Sequence, residues 1–491
     1  MTRLRLPIHS QDTDSSASQH NAHFSTKVRP VIAGGMCMGV AVNNASNAST
    51  TRKITRRIIT TDTLIPGDGD PQPDGAVVVE DKLIVWVGPI VDLPDKYTSQ
   101  PHQKLHVPFL MPGLWDCHSH FFGPNPKALE DGTAVLRLIE EHPVPNAARL
   151  TRGCWEAIQR GYTSMRDCGG FGCEITKAIE DGSIVGPNVY SAGAVLSQTA
   201  GHGDEFALPA GDVLLNFGIS NIAAGHGYGV QMGCIVDGLD ECRRAVRLQI
   251  RRGAKCIKIA ASGGVLSRDD NPLYAQFSPE ELDVMVREAA RMERPVAAHV
   301  HGKPGILAAV NAGVTTVEHV TFADQECIDL IKEKGVVFVA TRTIVKALVE
   351  SGGEGLPDVI WEKVKLCNSN HLQAYKLAIE NGVTIALGSD TAPGADMALE
   401  LEYAVEAGMT NLQAIKAATA DAPRTVKGQA PLTGQIIPGY EADLLGLLAN
   451  PAEDVKVLQN QENIKWVWKG GRLLKGPGVG PWGEDSVYMP G

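Results

Sequence analysis

Between residues 108 and 425, short apolar stretches alternate with amphipathic stretches at helical spacing. This alternation confines the middle of the chain to parallel βαβ units. The predicted strands are 109–116, 163–167, 188–195, 256–260, 296–301, 315–319, 336–341 and 384–390. There are eight of them, the number that closes a (β/α)8 barrel of the TIM type. The helices between them carry their own punctuation. Ser278-Pro279-Glu280-Glu281 supplies an N-cap, a proline at the first helical position and a capping-box glutamate. Leu282, Met285, Val286, Ala289 and Ala290 then form one stripe. Cys242, Ala245, Val246, Gln249 and Ile250 form another before Gly253, with one polar member. Gly313, Gly335 and Gly382 each stand between a helix and the next strand, as C′ glycines do.

The flanks have a different texture. Residues 54–59, 76–79 and 83–87 alternate Ile and Val between turns at Pro66-Gly67-Asp68-Gly69 and Glu80-Asp81. Residues 444–448 and 464–468, with a Gly470-Gly471 turn, repeat the pattern near the other end. The expected organisation is a small β-sandwich composed of 53–109 and 430–485, a barrel over 110–429, and a disordered tail over 1–52. That tail is rich in Ser, Asn and His. Its one apolar stretch, 31–42, begins too late for a secretory h-region and is interrupted by three glycines. Asn44-Ala-Ser46 and Asn47-Ala-Ser49 are glycosylation sequons that matter only in a secreted chain, so secretion stays open beside a cytoplasmic reading.

A formal net charge of −11 disfavours nucleic-acid partners, which need clustered positive charge. No apolar run approaches twenty residues, so no membrane span is expected. The ten cysteines are scattered without a CxxC pair. Free thiols fit that spacing better than a disulfide framework or a structural zinc site.

In such a barrel the C-terminal strand ends face the active site, and ionisable residues gather there. His118-Ser119-His120 places two imidazoles on one face, since strand side chains alternate. His299-Val300-His301 repeats the arrangement; His319 and Asp390 end the sixth and eighth strands. In 256–260, Ile257 and Ile259 must face the helical shell, which turns Lys258 inward beside Cys256 and Ala260. A buried ammonium has to be neutralised, paired or modified. Pairing with Asp390 is one solution; carbamylation by CO₂ to a metal-bridging carboxylate is another. Lys255 has the opposite parity and reads as solvated. His202, in Gly201-His-Gly203, is either a substrate contact at the barrel mouth or a loop histidine on a glycine turn. Arg268 either forks onto a substrate carboxylate or pairs with Asp269 or Asp270.

The order HxH, strand-four Lys, strand-five His, strand-six His and strand-eight Asp resembles the amidohydrolase superfamily in its binuclear, carbamylated-lysine form. Finer stretches resemble its ochratoxinase-type and prolidase-like members: Leu110-Met-Pro-Gly-Leu-Trp-Asp-Cys-His118, Gln198-Thr-Ala-Gly-His-Gly-Asp204 and Ser262-Gly-Gly-Val-Leu-Ser-Arg-Asp-Asp270. Ala298-His-Val-His-Gly-Lys303, Gly388-Ser-Asp-Thr-Ala-Pro393 and Gly476-Pro-Gly-Val-Gly-Pro-Trp-Gly483 continue the likeness. It spans roughly residues 54 to 485 and leaves specificity to the loops at 121–146 and 216–237. The resemblance implies that His118, His120 and Asp390 hold one divalent metal, zinc being expected, and that His299 and His319 hold a second. Carbamylated Lys258 would bridge them. It implies a metal-activated water, its pKa lowered from about 15.7 towards roughly 7, with Asp390 as proton carrier and His301 polarising the carbonyl. His202 and Arg268 are the expected substrate contacts. The expected substrate is a small amide beside a free carboxylate, an N-acyl amino acid or ochratoxin-type amide. An Xaa-Pro dipeptide or a cyclic amide of the imidazolonepropionase type is the alternative. A homo-oligomer is expected. A non-catalytic scaffold on the same fold is disfavoured because every ligand position is filled.

Overall fold

The chain around Gly113 decides how the two β-regions meet. The computed structural model describes residues 55–123, 143–220 and 232–484; the expected tail at 1–52 and much of the loops at 121–146 and 216–237 lie outside them. The strand predicted over 109–116 is two strands, β4 (Gln103–Pro112) and β5 (Leu114–Ser119). A Cβ on Gly113 would lie 2.1 Å from Thr163 Oγ1, so only glycine lets the backbone pass here. The Gly113 N–H donates to Asp443 O at 2.8 Å, and β4 and β5 go to different sheets.

Strands β1 (Arg56–Leu64), β2 (Gln72–Glu80) and β3 (Leu83–Pro89) precede β4. Near the other end lie β15 (Leu444–Leu447), β16 (Ile464–Lys469) and β17 (Arg472–Lys475). All seven hydrogen-bond in one mixed sheet, in the order β17-β16-β15-β4-β1-β2-β3. The two ends therefore meet in a single sheet through the β15–β4 pairing of Leu445 with Met111. Its faces bury different residues: Ile59, Val77, Val79 and Trp468 on one side, Ile58, Val78 and Tyr97 on the other. This is why the Ile and Val runs are apolar at successive positions.

The middle is parallel. Strands β5, β6 (Tyr162–Asp167) and β7 (Asn188–Ser191) form one sheet. The next seven strands are β8 (Val195–Ser197), β9 (Gly233–Ile235), β10 (Ile257–Ala260), β11 (Val296–Val300), β12 (Thr316–His319), β13 (Val337–Val339) and β14 (Ile385–Ala386). They form a second sheet in the order β14-β13-β12-β11-β10-β8-β9. The strand predicted over 188–195 is thus β7 and the start of β8, parted at Gly193 (φ +72°). Backbone bonds join both edges of the three-stranded sheet to the seven-stranded one. Cys117 N–H donates to Leu387 O (2.9 Å), Asp390 N–H to His118 O (2.7 Å) and Lys255 N–H to Ser191 O (2.7 Å). The result is an α/β fold consistent with a TIM-type barrel.

The main core lies between strands and helices and contains Ile257, Ile259, Ala298, Val300 and Val317 against Leu282, Met285 and Ala289. The helix Pro279–Arg291 has the predicted capping box: Ser278 Oγ accepts from Glu281 N–H and Glu281 accepts from Ser278 N–H. Its stripe differs at one place, Ala290 being exposed and Glu288 buried in its stead, where Glu288 pairs with Arg247. In the helix Gly238–Arg252 the polar stripe member Gln249 accepts from Ala194 N–H at 3.0 Å, satisfying a buried donor between β7 and β8. Gly253, Gly313 and Gly335 end their helices in the left-handed conformation, as their positions implied. The nine described cysteines are free and buried. No helix among the described residues is long and apolar enough to cross a membrane.

Candidate active site

The ends of β5, β10, β11, β12 and the segment after β14 bring His118, Lys258, His299, His319 and Asp390 to one cavity. His120 and His301 stand one residue beyond β5 and β11. All seven line a single cavity. One of them arrives against the alternation. Val317 packs in the core outside the strands, so His319 would follow it outward, and a left-handed backbone at His319 (φ +70°) turns it in. Asp390 is also left-handed, at φ +58°. Such conformations cost about 1–3 kcal/mol each and persist where surrounding structure enforces them, characteristically at active sites. Gly388 passes so close to His118 that a Cβ would lie 2.6 Å from the His118 Cβ.

The imidazoles are held by their outer nitrogens. His118 Nδ1 bonds Glu318 Oε2 (2.7 Å), His120 Nδ1 bonds Gly169 O (3.0 Å), His301 Nδ1 bonds Thr321 Oγ1 (2.7 Å) and His319 Nδ1 bonds Thr341 Oγ1 (2.7 Å). In each ring Nε2 is left for the centre, the arrangement by which proteins orient metal-ligating histidines. His120 Nε2 lies 3.0 Å and His118 Nε2 3.5 Å from Asp390 Oδ1. Ligand atoms of His118, His120 and Asp390 lie close enough together to hold one ion, and those of His299, His301 and His319 another.

Burial sets the electrostatics. It pushes the His299 and His319 rings well below the usual imidazole range, reinforced by the neighbouring histidines, and takes His118 down to about 4. Neutral imidazoles are the form that binds metal. Burial also raises the Asp390 carboxyl, but His118, His120 and Lys258 outweigh it and hold the group at about 2. Lys258 is 2% exposed, and its Nζ hydrogen-bonds His118 Nε2 at 3.2 Å. It forms no ion pair with a carboxylate among the described residues, which removes Asp390 as its salt-bridge partner.

Sequence reasoning passed over Arg166 and Glu318. Both are fully buried, with Arg166 Nη2 2.7 Å from Glu318 Oε2, the oxygen that also bonds His118. Arg166 Nη1 further donates to Thr316 Oγ1 at 2.8 Å. Two charged residues inside predicted barrel strands were the available signal. Glu318→Gln should weaken metal binding by about 10- to 100-fold, because His118 loses its charged orienting partner. Chelator competition measures this, and an unchanged affinity would make Glu318 purely architectural.

The two expected substrate contacts part company. His202 lines the cavity, its ring stacked on His299 at 4.1 Å. Arg268 is exposed and outside the cavity lining, and Asp270 is paired with Lys363 instead. The far wall is apolar and comes from Val265 and Leu266, from Ile344, Val345 and Leu348 on the helix Arg342–Glu350, and from Val364 and Cys367 on the helix Asp358–Glu380.

The family model for the amidohydrolase family matches residues 109–474, most of the chain and every residue of the site. The chain belongs to the amidohydrolase family. As an amidohydrolase it is a hydrolase of amide bonds. It is 59% identical over 424 residues to the ochratoxinase of Aspergillus niger, a match covering 86% of this chain and 87% of that one. The crystal structure of that ochratoxinase superposes with a TM-score of 0.84, at 57% identity, covering 88% of this chain and 99% of the other. A prolidase crystallised with N-methylphosphonate-L-proline gives a TM-score of 0.74 at 30% identity, covering 86% of this amidohydrolase and all of its own chain.

Proposed function

We propose that this amidohydrolase cleaves an amide beside a free carboxylate, of the ochratoxin or N-acyl amino acid kind, at a two-metal centre. Residues 110–429 would form the closed eight-stranded barrel, a reading supported by the backbone bonds from β5 to the β14 segment and from β7 to the start of β10. Residues 53–109 and 430–485 would form the composite β domain. His118, His120 and Asp390 would hold one divalent ion and His299 and His319 the other, with carbamylated Lys258 shared between them. When bound, such ions, zinc being the expected pair, polarise the carbonyl and activate a water.

The chain's own residues supply the rest. Asp390, an ionised carboxylate at the centre, takes the proton of the attacking water and passes it to the leaving amine. His301, its Nδ1 held by Thr321, presents Nε2 to the carbonyl oxygen. His202 contacts the substrate at the mouth. The apolar wall excludes water and receives an aromatic or aliphatic group. Lys258 carries the chemical reading: an amine buried among histidines, with no carboxylate ion pair among the described residues. The 59% identity to an ochratoxinase supports the substrate class.

The second reading, an Xaa-Pro dipeptidase, is favoured by the likeness to the prolidase. A substrate panel separates the two. The purified enzyme, assayed against ochratoxin A, N-acyl aromatic amino acids, Xaa-Pro dipeptides and hydantoins, should favour the first two by at least about ten-fold in kcat/KM, a difference of about 1.4 kcal/mol. Turnover of Xaa-Pro dipeptides alone would establish the second reading, and of hydantoins alone a cyclic-amide hydrolase.

A further inference from the structure

The cavity mouth contains a polar chain that the reaction as described does not use. Lys363 lies on the helix Asp358–Glu380, one residue before the wall residue Val364. Its side chain is 11% exposed, and its ammonium spends its three protons on the loop after β10: Asp270 Oδ1 (2.9 Å), Ser267 O (2.8 Å) and Gly264 O (3.2 Å). The Asp270 side chain is 2% exposed; its Oδ2 accepts from Gly264 N–H at 2.7 Å and its Oδ1 accepts from the Ser267 hydroxyl. With its one proton committed to Asp270, Ser267 Oγ has lone pairs left, and it meets His202 Nδ1 at 2.9 Å. Nδ1–H must then be the donor, and Nε2 is the nitrogen left for the cavity.

The ring is also clamped on its faces. His299 stacks on one side with planes 14° apart. Gly264 backs the ring so closely that a Cβ there would lie 2.0 Å from His202 Nδ1. The His202 N–H is taken by Gln276 Oε1 at 2.9 Å. A loop histidine with no role in binding would not need its tautomer, tilt and backing all determined.

We propose that Lys363, Asp270 and Ser267 are positioning residues that hold His202 in one tautomer, with Nε2 presented to the bound amide. The substrate contact of His202 rests on the amide-hydrolase reading above; the fixed tautomer does not. Through Lys363, the helix carrying the apolar wall is tied to the loop carrying the polar contact, so both sides of the mouth are set by one ion pair.

A double-mutant cycle on the full-length, zinc-loaded enzyme tests this. Lys363→Met should lower kcat/KM for a cleaved amide by about ten-fold or more, the size expected for a charge-assisted contact, and by less than about two-fold when His202 is already Gln. Lys363→Arg should restore part of the loss, and Ser267→Ala, which leaves the ion pair in place, should behave like Lys363→Met. Equal losses in both His202 backgrounds would make the ion pair a structural tie and overturn the proposal. Nitrogen-15 spectra of labelled histidine give a readout independent of turnover, with the His202 signals assigned by their loss in His202→Gln. Wild type should show a single Nδ1–H tautomer, and Ser267→Ala should show a mixture. A mixture already in wild type overturns the positioning role even if catalysis is intact. A single tautomer in an enzyme that cleaves no amide of the panel would instead fault the substrate reading.

Discussion

Lys258→Ala should abolish turnover and strip the enzyme of metal, from about two divalent ions per chain to one or none by elemental analysis. Lys258 comes from β10, whose Ile257 and Ile259 are locked in the core between strands and helices, so its side chain has nowhere to go but the centre. There its Nζ meets His118 Nε2 at 3.2 Å and no carboxylate among the described residues. An ammonium left this way is strongly disfavoured, whereas a carbamate supplies a missing anion to a centre otherwise built from five histidines and one aspartate. Removing it should leave a gap that acetate or another short carboxylic acid partly refills, restoring some activity. Lys255→Ala is the control: half-buried at the strand entrance, it should change activity by less than a few-fold, within the range of ordinary surface substitutions. A sensitive Lys255 with an indifferent Lys258 would overturn the assignment of the inward face, and full activity with fewer than two metals would overturn the binuclear reading.

Asp390→Asn should keep the fold while kcat falls about 10²- to 10⁴-fold, the usual loss when a positioned acid–base group is removed. Loss of a metal ligand would add to it. Asn has nearly the same shape and can still meet His120 Nε2, now at 3.0 Å from Asp390 Oδ1, but it cannot carry a proton between water and amine. Its backbone already forms the bond to His118 O that ties strand ends together, and that bond survives the substitution. Steady-state kinetics with metal content measured on the same samples separate the two contributions. An Asn variant within a few-fold of wild type, at full metal occupancy, would remove Asp390 from proton transfer.

The sequence alone was enough to identify the parallel α/β middle, the positions of its strands to within a few residues, and the inward parity of Lys258. These depend on local rules: apolar periodicity, capping residues and the strict alternation of strand side chains. The same rules misplaced the first strand, because the break at Gly113 follows from a clash with Thr163 that lies about fifty residues away in the chain. Alternation would also have turned His319 outward with Val317; its place at a strand end, not its parity, put it among the site residues, and a left-handed backbone is what delivers it. Arg166 and Glu318 went unnoticed because a charged residue in a barrel strand acquires meaning only once its partner is known, and theirs is on another strand. The two mouth residues show the same division most plainly. His202 and Arg268 were equivalent in sequence, each an ionisable residue in a glycine-containing loop. Which of them lines the cavity was decided by Lys363 and Asp270, whose pairing holds the loop after β10 so that His202 is clamped over His299 while Arg268 is left in solvent. Local patterns are set by neighbours in the chain and can be read there, but contacts between distant segments exist only after the chain has folded.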